Sequence, residues 1–212
     1  NLYGVWGSNS GNVWAVGESG TILKWNGSAW SVQSSGTTQS LFDAWGSAAN
    51  SVWAVGGGGT LLKWDGSTWS PQASGTNQNL VGVWGSDPAN VWAVGRVGTI
   101  LKWNGTAWAA QTSGSSKDLS GVWGSDAANV WAVGGSGTIL KLSGTTWASQ
   151  ASGSSQSLRS VWGVDSSSIW VAGAGGTVLR WNGSAWATQA TGTTGELVSV
   201  WGSGADNVWV LD

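Results

Sequence analysis

A fixed period of 39 residues, four short apolar runs within each period and frequent glycine between them predict an all-β fold, a β-propeller of four-stranded blades. Tryptophan carries the period. One set falls at Trp6, Trp45, Trp84, Trp123, Trp162 and Trp201, and a second at Trp14, Trp53, Trp92, Trp131, Trp170 and Trp209, each spaced by 39. No segment keeps helical spacing over ten residues, and glycine interrupts the chain too often for a helix.

In the third period the runs are Leu80–Trp84, Val91–Val94, Thr99–Trp103 and Thr106–Gln111. Val, Ile, Thr and Trp dominate them, residues suited to a pleated, packed surface. The second run, Val91-Trp92-Ala93-Val94, is apolar on both faces, as a sheet covered on both sides requires. The third and fourth runs are joined by Asn26-Gly27, Asp65-Gly66, Asn104-Gly105 and Asn182-Gly183, which predict a two-residue type I′ hairpin. Ser143-Gly144 stands in the fourth period, after Leu142 in place of tryptophan. A two-residue loop sets Trp25 opposite Ser28 and Leu23 opposite Trp30. Leu23, Trp25 and Trp30 then share one face, and Ile22, Lys24 and Ala29 the other. The result is an aromatic stripe on each blade, aimed at a neighbouring blade. Each buried tryptophan withdraws about 150–250 Å² from water, worth at most about 4–6 kcal/mol. With 8% of residues charged, this packing must supply most of the stability.

The pair of runs that opens the period occurs six times, and the pair that closes it five times. The expectation is one propeller domain over 1–212, with blades near 1–39, 40–78, 79–117, 118–156 and 157–195. Residues 196–212 then form a sixth, incomplete blade. Five blades with an accessory hairpin is the alternative, and a cut from a larger ring the third. The start at Asn1, with neither methionine nor a signal pattern, reads as a processed product or an excised piece. The apolar Val208-Trp209-Val210-Leu211 would be a bare edge. It should close on the first blade, pair with another chain or continue into further sequence.

Composition excludes several function classes. The formal net charge is -2 and the eight basic residues form no run, so no nucleic-acid footprint is present. No apolar run reaches membrane-spanning length, so no membrane insertion is expected. The chain lacks cysteine and histidine. That removes disulfides, thiolate metal sites and the commonest acid/base at neutral pH. No cofactor is implied. No compartment is fixed, although a secreted or extracytoplasmic setting suits the chain best.

The wording Val-Trp-Gly-Ser, Asn-Val-Trp-Ala-Val-Gly and Gly-Thr-Ile-Leu-Lys-Trp-Asn/Asp-Gly resembles the tryptophan-rich bacterial β-propeller repeats, and the resemblance covers the whole chain. More distantly it is similar to Asp-box propellers, the sialidase-like and photosystem assembly-factor types among them. Asp65-Gly66-Ser67-Thr68-Trp69 lacks the residue that an Asp-box carries between Asp and Gly, so that match is partial. The resemblance implies fold more than function, because propellers host many functions.

No enzyme is expected. A sialidase would need an arginine cluster, a tyrosine nucleophile and an acid pair. This chain offers Arg96, Arg159, Arg180, the single Tyr3, and Glu18 and Glu196 as its only glutamates. No histidine exists to activate a serine. Asp87, Asp126 and Asp165 recur at one loop position, ahead of Asn90, Asn129 and Ser168. They suit an Asx turn. The sharper reading makes Asp87, Asn90, Asp126, Asn129 and Asp165 ligand contacts, although a calcium site needs more oxygen ligands per loop. Lys24, Lys63, Lys102, Lys141 and Arg180 share a strand position and suit heads snorkelling over a neighbouring ring; an anion-binding ring is the alternative.

In a four-stranded blade the first and third loops lie on one rim, and the second loop and the blade connection on the other. The first rim is near-uniform from repeat to repeat. The second varies, with Glu18, Gly57, Arg96, Gly135 and Ala174 in one slot and Ser40, Asn79, Asp118, Ser157 and Glu196 in another. A uniform rim suits a multivalent, lectin-like glycan binder. A varied rim suits one asymmetric protein partner, contacted through Glu18, Arg96 and Arg159, as a scaffold or assembly factor would be. The first expectation is a non-catalytic carbohydrate-binding module, and the alternative a protein-interaction scaffold. Self-association through the C-terminal hairpin edge is the further partner expectation.

Overall fold

A computed structural model describes the whole chain, residues 1–212. Contacts divide it into two compact units, Asn1–Gln111 and Thr112–Asp212. The first holds three sheets: β1–β4 (Leu2–Asn9, Asn12–Gly17, Ile22–Trp25, Trp30–Gln33), β5–β8 (Leu41–Ala48, Ser51–Gly56, Leu61–Trp64, Trp69–Pro71) and β9–β12 (Leu80–Asp87, Asn90–Gly95, Ile100–Trp103, Trp108–Gln111). The second holds β13–β16 (Leu119–Asp126, Asn129–Gly134, Thr138–Ser143, Thr146–Gln150) and β17–β20 (Leu158–Asp165, Ser168–Gly173, Val178–Trp181, Trp186–Gln189). It ends in the two-stranded β21–β22 (Ser199–Gly204, Asn207–Leu211). Each four-stranded sheet pairs its strands in chain order, the meander of a propeller blade. The all-β fold with six blade positions, the last of two strands, is the one the repeat predicts.

The hairpin between third and fourth strands is a correction. In the first blade Trp25 pairs with Trp30 and Leu23 with Val32, so the loop has four residues, not two, and Ala29 lies in the loop. Only Gly27 takes positive φ, +98°; Asn26 does not. The reason is the Asn26 side chain. Its Oδ1 accepts hydrogen bonds from the N–H groups of Ser28 and Ala29, both at 2.9 Å, and from Ser28 Oγ. That Asx arrangement supplies the turn without a left-handed asparagine. Asp65, Asn104 and Asn182 do the same. The Ser143 side chain makes no such cap; Thr146 Oγ1 donates to the Ser143 carbonyl instead. There the strands pair through Ser143 and Thr146, leaving a true two-residue loop. Leu23, Trp25 and Trp30 still share a face, because directly paired residues point the same way.

Each blade interior has a forward and a backward face. In the first unit Trp14, Val16 and Ile22 of one blade pack on Val52, Ala54, Leu62, Trp64 and Trp69 of the next. The same arrangement brings Trp53 onto Val91, Ala93, Leu101 and Trp103. In the second unit Trp131 meets Ile169, Val171, Leu179 and Trp181. Trp14 contacts Trp64 at 4.8 Å and Trp69 edge-on at 5.2 Å; Trp53 contacts Trp103 and Trp108 both at 5.0 Å. Aromatic pairs in tilted and T-shaped geometry gain beyond their burial.

A second junction device uses glycine. A methyl group added to Gly46 would lie 2.6 Å from Cη2 of Trp6, and one on Gly85 2.6 Å from Cη2 of Trp45. In the second unit Trp123 lies over Gly163 and Trp162 over Gly202 in the same way. The invariant Trp-Gly pair of the repeat is therefore a knob on one blade and a socket on the next.

In the β21–β22 hairpin Trp209 is 52% and Leu211 62% exposed.

Candidate functional site

Two rims of each blade carry the polar side chains. On the turn rim of three blades, the indole N–H of the third-strand tryptophan donates to a carbonyl in the turn joining the first two strands, while that of Trp64 has no partner. The pairs are Trp25 to Ser10 at 3.0 Å, and Trp103 to Pro88 and Trp181 to Ser166 at 3.2 Å. On the connection rim, the turn after the second strand donates to the residue entering the same blade. Glu18 N–H bonds Asn1, Gly57 bonds Ser40 and Arg96 bonds Asn79; in the second unit Gly135 bonds Asp118 and Ala174 bonds Ser157. Both rims thus have the membership that the repeat predicts.

The turn rim uses its acids locally. Asp87 Oδ1 accepts from Ala89 N–H at 2.8 Å, both its oxygens from Asn90 Nδ2, and Oδ2 from Ser86 Oγ. Asp126 repeats this with Ala128, Asn129 and Ser125. Asp165 accepts from the N–H and Oγ of Ser167. Each is an Asx turn, with Asn90 and Asn129 tied to their own aspartates. Partial burial works against the charge of Asp87, but these hydrogen bonds outweigh it and hold its carboxyl below the ordinary value. The Asn129 side chain lowers Asp126, and the Ser167 side chain lowers Asp165. Donors from Thr68 and Ser67 bring Asp65 to about 2. No three acidic side chains come together as a metal cluster would require.

The repeated cations are bound to the core. Lys24 Nζ sits 4.8 Å from the Trp14 ring and 4.9 Å from that of Trp64; Lys63 lies 5.1 Å from Trp53 and 4.9 Å from Trp103. Lys102 caps Trp92, Lys141 caps Trp131 and Arg180 caps Trp170. These are cation–π contacts, the snorkelling arrangement rather than an anion ring. Most indole faces are consumed in the same packing. Only Trp30, Trp201 and Trp209 are widely exposed. Two small clefts recur on the first unit. One of about 240 Å³ is lined by Gln33, Trp64, Thr68 and Trp69, and one of about 210 Å³ by Gln72, Trp103, Thr106 and Trp108.

The connection rim is different. Five of the eight basic residues cap rings. The other three, Arg96, Lys117 and Arg159, all lie on connection rims, as do both glutamates. Arg159 Nε donates to Glu196 Oε1 at 2.6 Å, and both side chains are about half exposed. Glu18 is 53% exposed. The variable slots also touch between neighbouring blades: Ser40 Oγ accepts from Ser19 N–H, and Asn79 Oδ1 accepts from Gly58 N–H at 2.9 Å. A groove of about 820 Å³ on the first unit runs beside Ser19, Val32, Gln33, Thr37 and Gln39. Tyr3 packs on Phe42, their ring centroids 5.8 Å apart.

Asp43 escapes a motif-based reading. Its Oδ2 accepts from Val83 N–H of the next blade and its Oδ1 from Ala44 N–H, both at 2.9 Å. Burial of the carboxyl is the dominant influence and pushes its pKa up to about 7, against the opposing pull of those two hydrogen bonds. The corresponding residues are Gly4, Gly82, Gly121, Ser160 and Ser199, so comparison between repeats marks Asp43 as the odd member. Ser160 Oγ makes the equivalent bond to Val200 N–H at 3.2 Å.

No protein-family model matches the chain, and no curated protein matches it. Solved structures do. The chain is similar over its whole length to a structure described as YCF48 bound to D1 peptide, with TM-score 0.78, 16% identity and 74% of that chain covered. YCF48 from Cyanidioschyzon merolae matches 99% of the chain at TM-score 0.51 and 14% identity, covering 92% of that protein. A chain of the COPII outer coat vertex on membranes matches 89% of this chain at TM-score 0.68 and 15% identity, with 60% of its own length covered. At these identities the likeness establishes the fold, a β-propeller. No helix of the chain is long and apolar enough to cross a membrane.

Proposed function

We infer that this chain is a non-catalytic protein-interaction scaffold that binds a peptide or protein segment on its connection rims. One observation carries this reading: every basic residue not held over an indole, together with both glutamates, lies on those rims, and no two blades present the same set. A non-repeating pattern of charge recognises one asymmetric partner, because misplaced charges reject the others. The groove beside Ser19 and Gln39 offers room for an extended segment next to Glu18. A propeller of the same fold described as bound to a peptide supports the reading by analogy. Partner contacts are assigned to Glu18, Arg96 and Arg159. The finer kinship, to tryptophan-rich bacterial propeller repeats, rests on the wording of the repeat.

The test is a peptide array probed with the chain and with Glu18→Lys and Arg159→Glu variants. Retained peptides should bind the variants roughly tenfold more weakly and lose affinity with added salt. Binding unchanged by both substitutions counts against this rim. A second reading, glycan binding, is favoured by the recurrence of the two clefts with the same Gln, Thr and paired Trp composition. Silence on the peptide array with selective retention on a glycan array would establish that reading instead.

A further inference from the structure

The blade β13–β16 departs from the repeat near its third-to-fourth hairpin. In three blades the third-strand tryptophan spans from that hairpin to the turn joining the first two strands, its indole N–H donating to the carbonyl of Ser10, Pro88 or Ser166. Leu142 stands in the tryptophan slot of this blade, and Ala127 in the slot of the acceptor. Leucine is shorter and has no N–H to give. Ser143 replaces the capping asparagine and joins the strand, so its hydroxyl is not drawn into the hairpin tip. A cavity of about 410 Å³ lies here, lined by Asn129, Lys141, Leu142, Ser143, Ala148 and Gln150. All of them belong to the second unit. The cavity is larger than the two clefts of the first unit, and neither of those has a charged side chain in its wall.

The wall presents one cation and no carboxylate. Lys141 Nζ lies 4.9 Å from the Trp131 ring and 5.8 Å from that of Trp181, off the even placement that Lys24 has at 4.8 and 4.9 Å from its two rings. The rings balance part of its charge, and no carboxylate pairs with it. Its N–H donors therefore still call for an oxygen acceptor. Asn129 Nδ2 is engaged by both oxygens of Asp126, at 3.1 and 2.9 Å, and Gln150 Nε2 by the Ser149 carbonyl at 3.3 Å. Each amide keeps its carbonyl oxygen as an acceptor. Asp126 is held by Ser125, Ala128 and Asn129 and is not part of the wall. A ligand matching this wall brings an anionic oxygen for Lys141 and hydroxyl hydrogens for Asn129 and Gln150. A simple carboxylate meets only the first requirement, and a neutral sugar only the second.

We propose that this cavity binds a sugar acid of the uronic type, its carboxylate paired with Lys141 and its hydroxyl groups donating to the side-chain oxygens of Asn129 and Gln150. Its volume falls in the range of small-molecule sites, which combine an apolar wall, here Leu142 and Ala148, with a few placed polar groups. None of its residues is among the connection-rim residues assigned to a protein partner, so the site stands independently of that reading.

The test is an amide NMR titration of the chain with D-glucuronate, D-glucose and acetate. D-glucuronate should bind with a dissociation constant of roughly 1 mM, as suits a ligand of this size, and shift the amides of Asn129, Ser143 and Gln150. Glucose lacks the charge and acetate lacks the hydroxyls, so each should bind at least about tenfold more weakly. Lys141→Met keeps an unbranched stem over the rings and removes the charge. It should weaken glucuronate binding by about tenfold or more. Ala148→Leu fills the cavity from an exposed strand position and leaves the charge in place, so it should weaken binding as much while melting as the wild type does. No saturable shift at tens of millimolar glucuronate overturns the proposal. So does glucose or acetate binding as tightly as glucuronate, or glucuronate binding that survives Ala148→Leu.

Discussion

Trp53→Ala is expected to lower the unfolding free energy by about 4–5 kcal/mol, while Trp209→Ala, at the same slot, lowers it by less than about 1 kcal/mol. Trp53 is fully buried, with rings of Trp103 and Trp108 each 5.0 Å away and Lys63 over its face. Truncation removes the transfer free energy of the indole and leaves a cavity between two rigid sheets that cannot collapse onto each other. It also strands a lysine that loses one of its two rings. Trp209 stacks on Trp201 at 5.5 Å within its own hairpin and is 52% exposed. Urea denaturation of both variants, at a concentration where the chain is monomeric, measures the difference directly. Equal losses would mean that tryptophan contributes here through its own hairpin rather than through the junction.

Asp43 should make the first unit less stable as pH rises from about 4 to about 7. Its folded pKa, about 7, lies above the ordinary 3.8, so the folded chain binds more protons across this window. The stability it contributes is fully present below the unfolded value and is lost as pH rises through the folded one. A shift of this size corresponds to at most about 4 kcal/mol. No cation pairs with it to offset the cost. On the acid side the signs reverse. Asp65, Asp87, Asp126 and Asp165 have lowered values, so the stability they contribute is present above 3.8 and is lost as pH falls through their folded values. Thermal melts should therefore peak at mildly acidic pH. Asp43→Ser keeps an acceptor for Val83 N–H, as Ser160 does for Val200, and should flatten the profile between pH 5 and 8. A profile that Asp43→Ser leaves unchanged would assign the dependence to other groups.

The hairpins show where local reading stops. Asn-Gly predicts a two-residue turn from backbone preference alone, but the asparagine side chain competes by capping two N–H groups, and the loop widens to four residues. The turn after each second strand carries a similar surprise. Ser19, Val97 and Ser136 hold φ near +55° in a slot that other blades fill with glycine. A β-branched valine in that region is held there by its surroundings, since its own preference opposes it.

The turn-rim aspartates were legible as Asx turns because their donors lie two and three residues away in sequence. Asp43 was not, because its decisive donor, Val83 N–H, is 40 residues distant. By itself the sequence determined the 39-residue period, the four strands in each blade, the two rims and the rank of tryptophan as core, since these follow from local pattern repeated without change. Only the tertiary structure decided which indoles are buried, where the knob meets its glycine, and why burial raises the Asp43 carboxyl. The physical reason is that identical repeats present identical patterns. Burial and pKa depend on what lies across the next blade junction, which no single repeat contains.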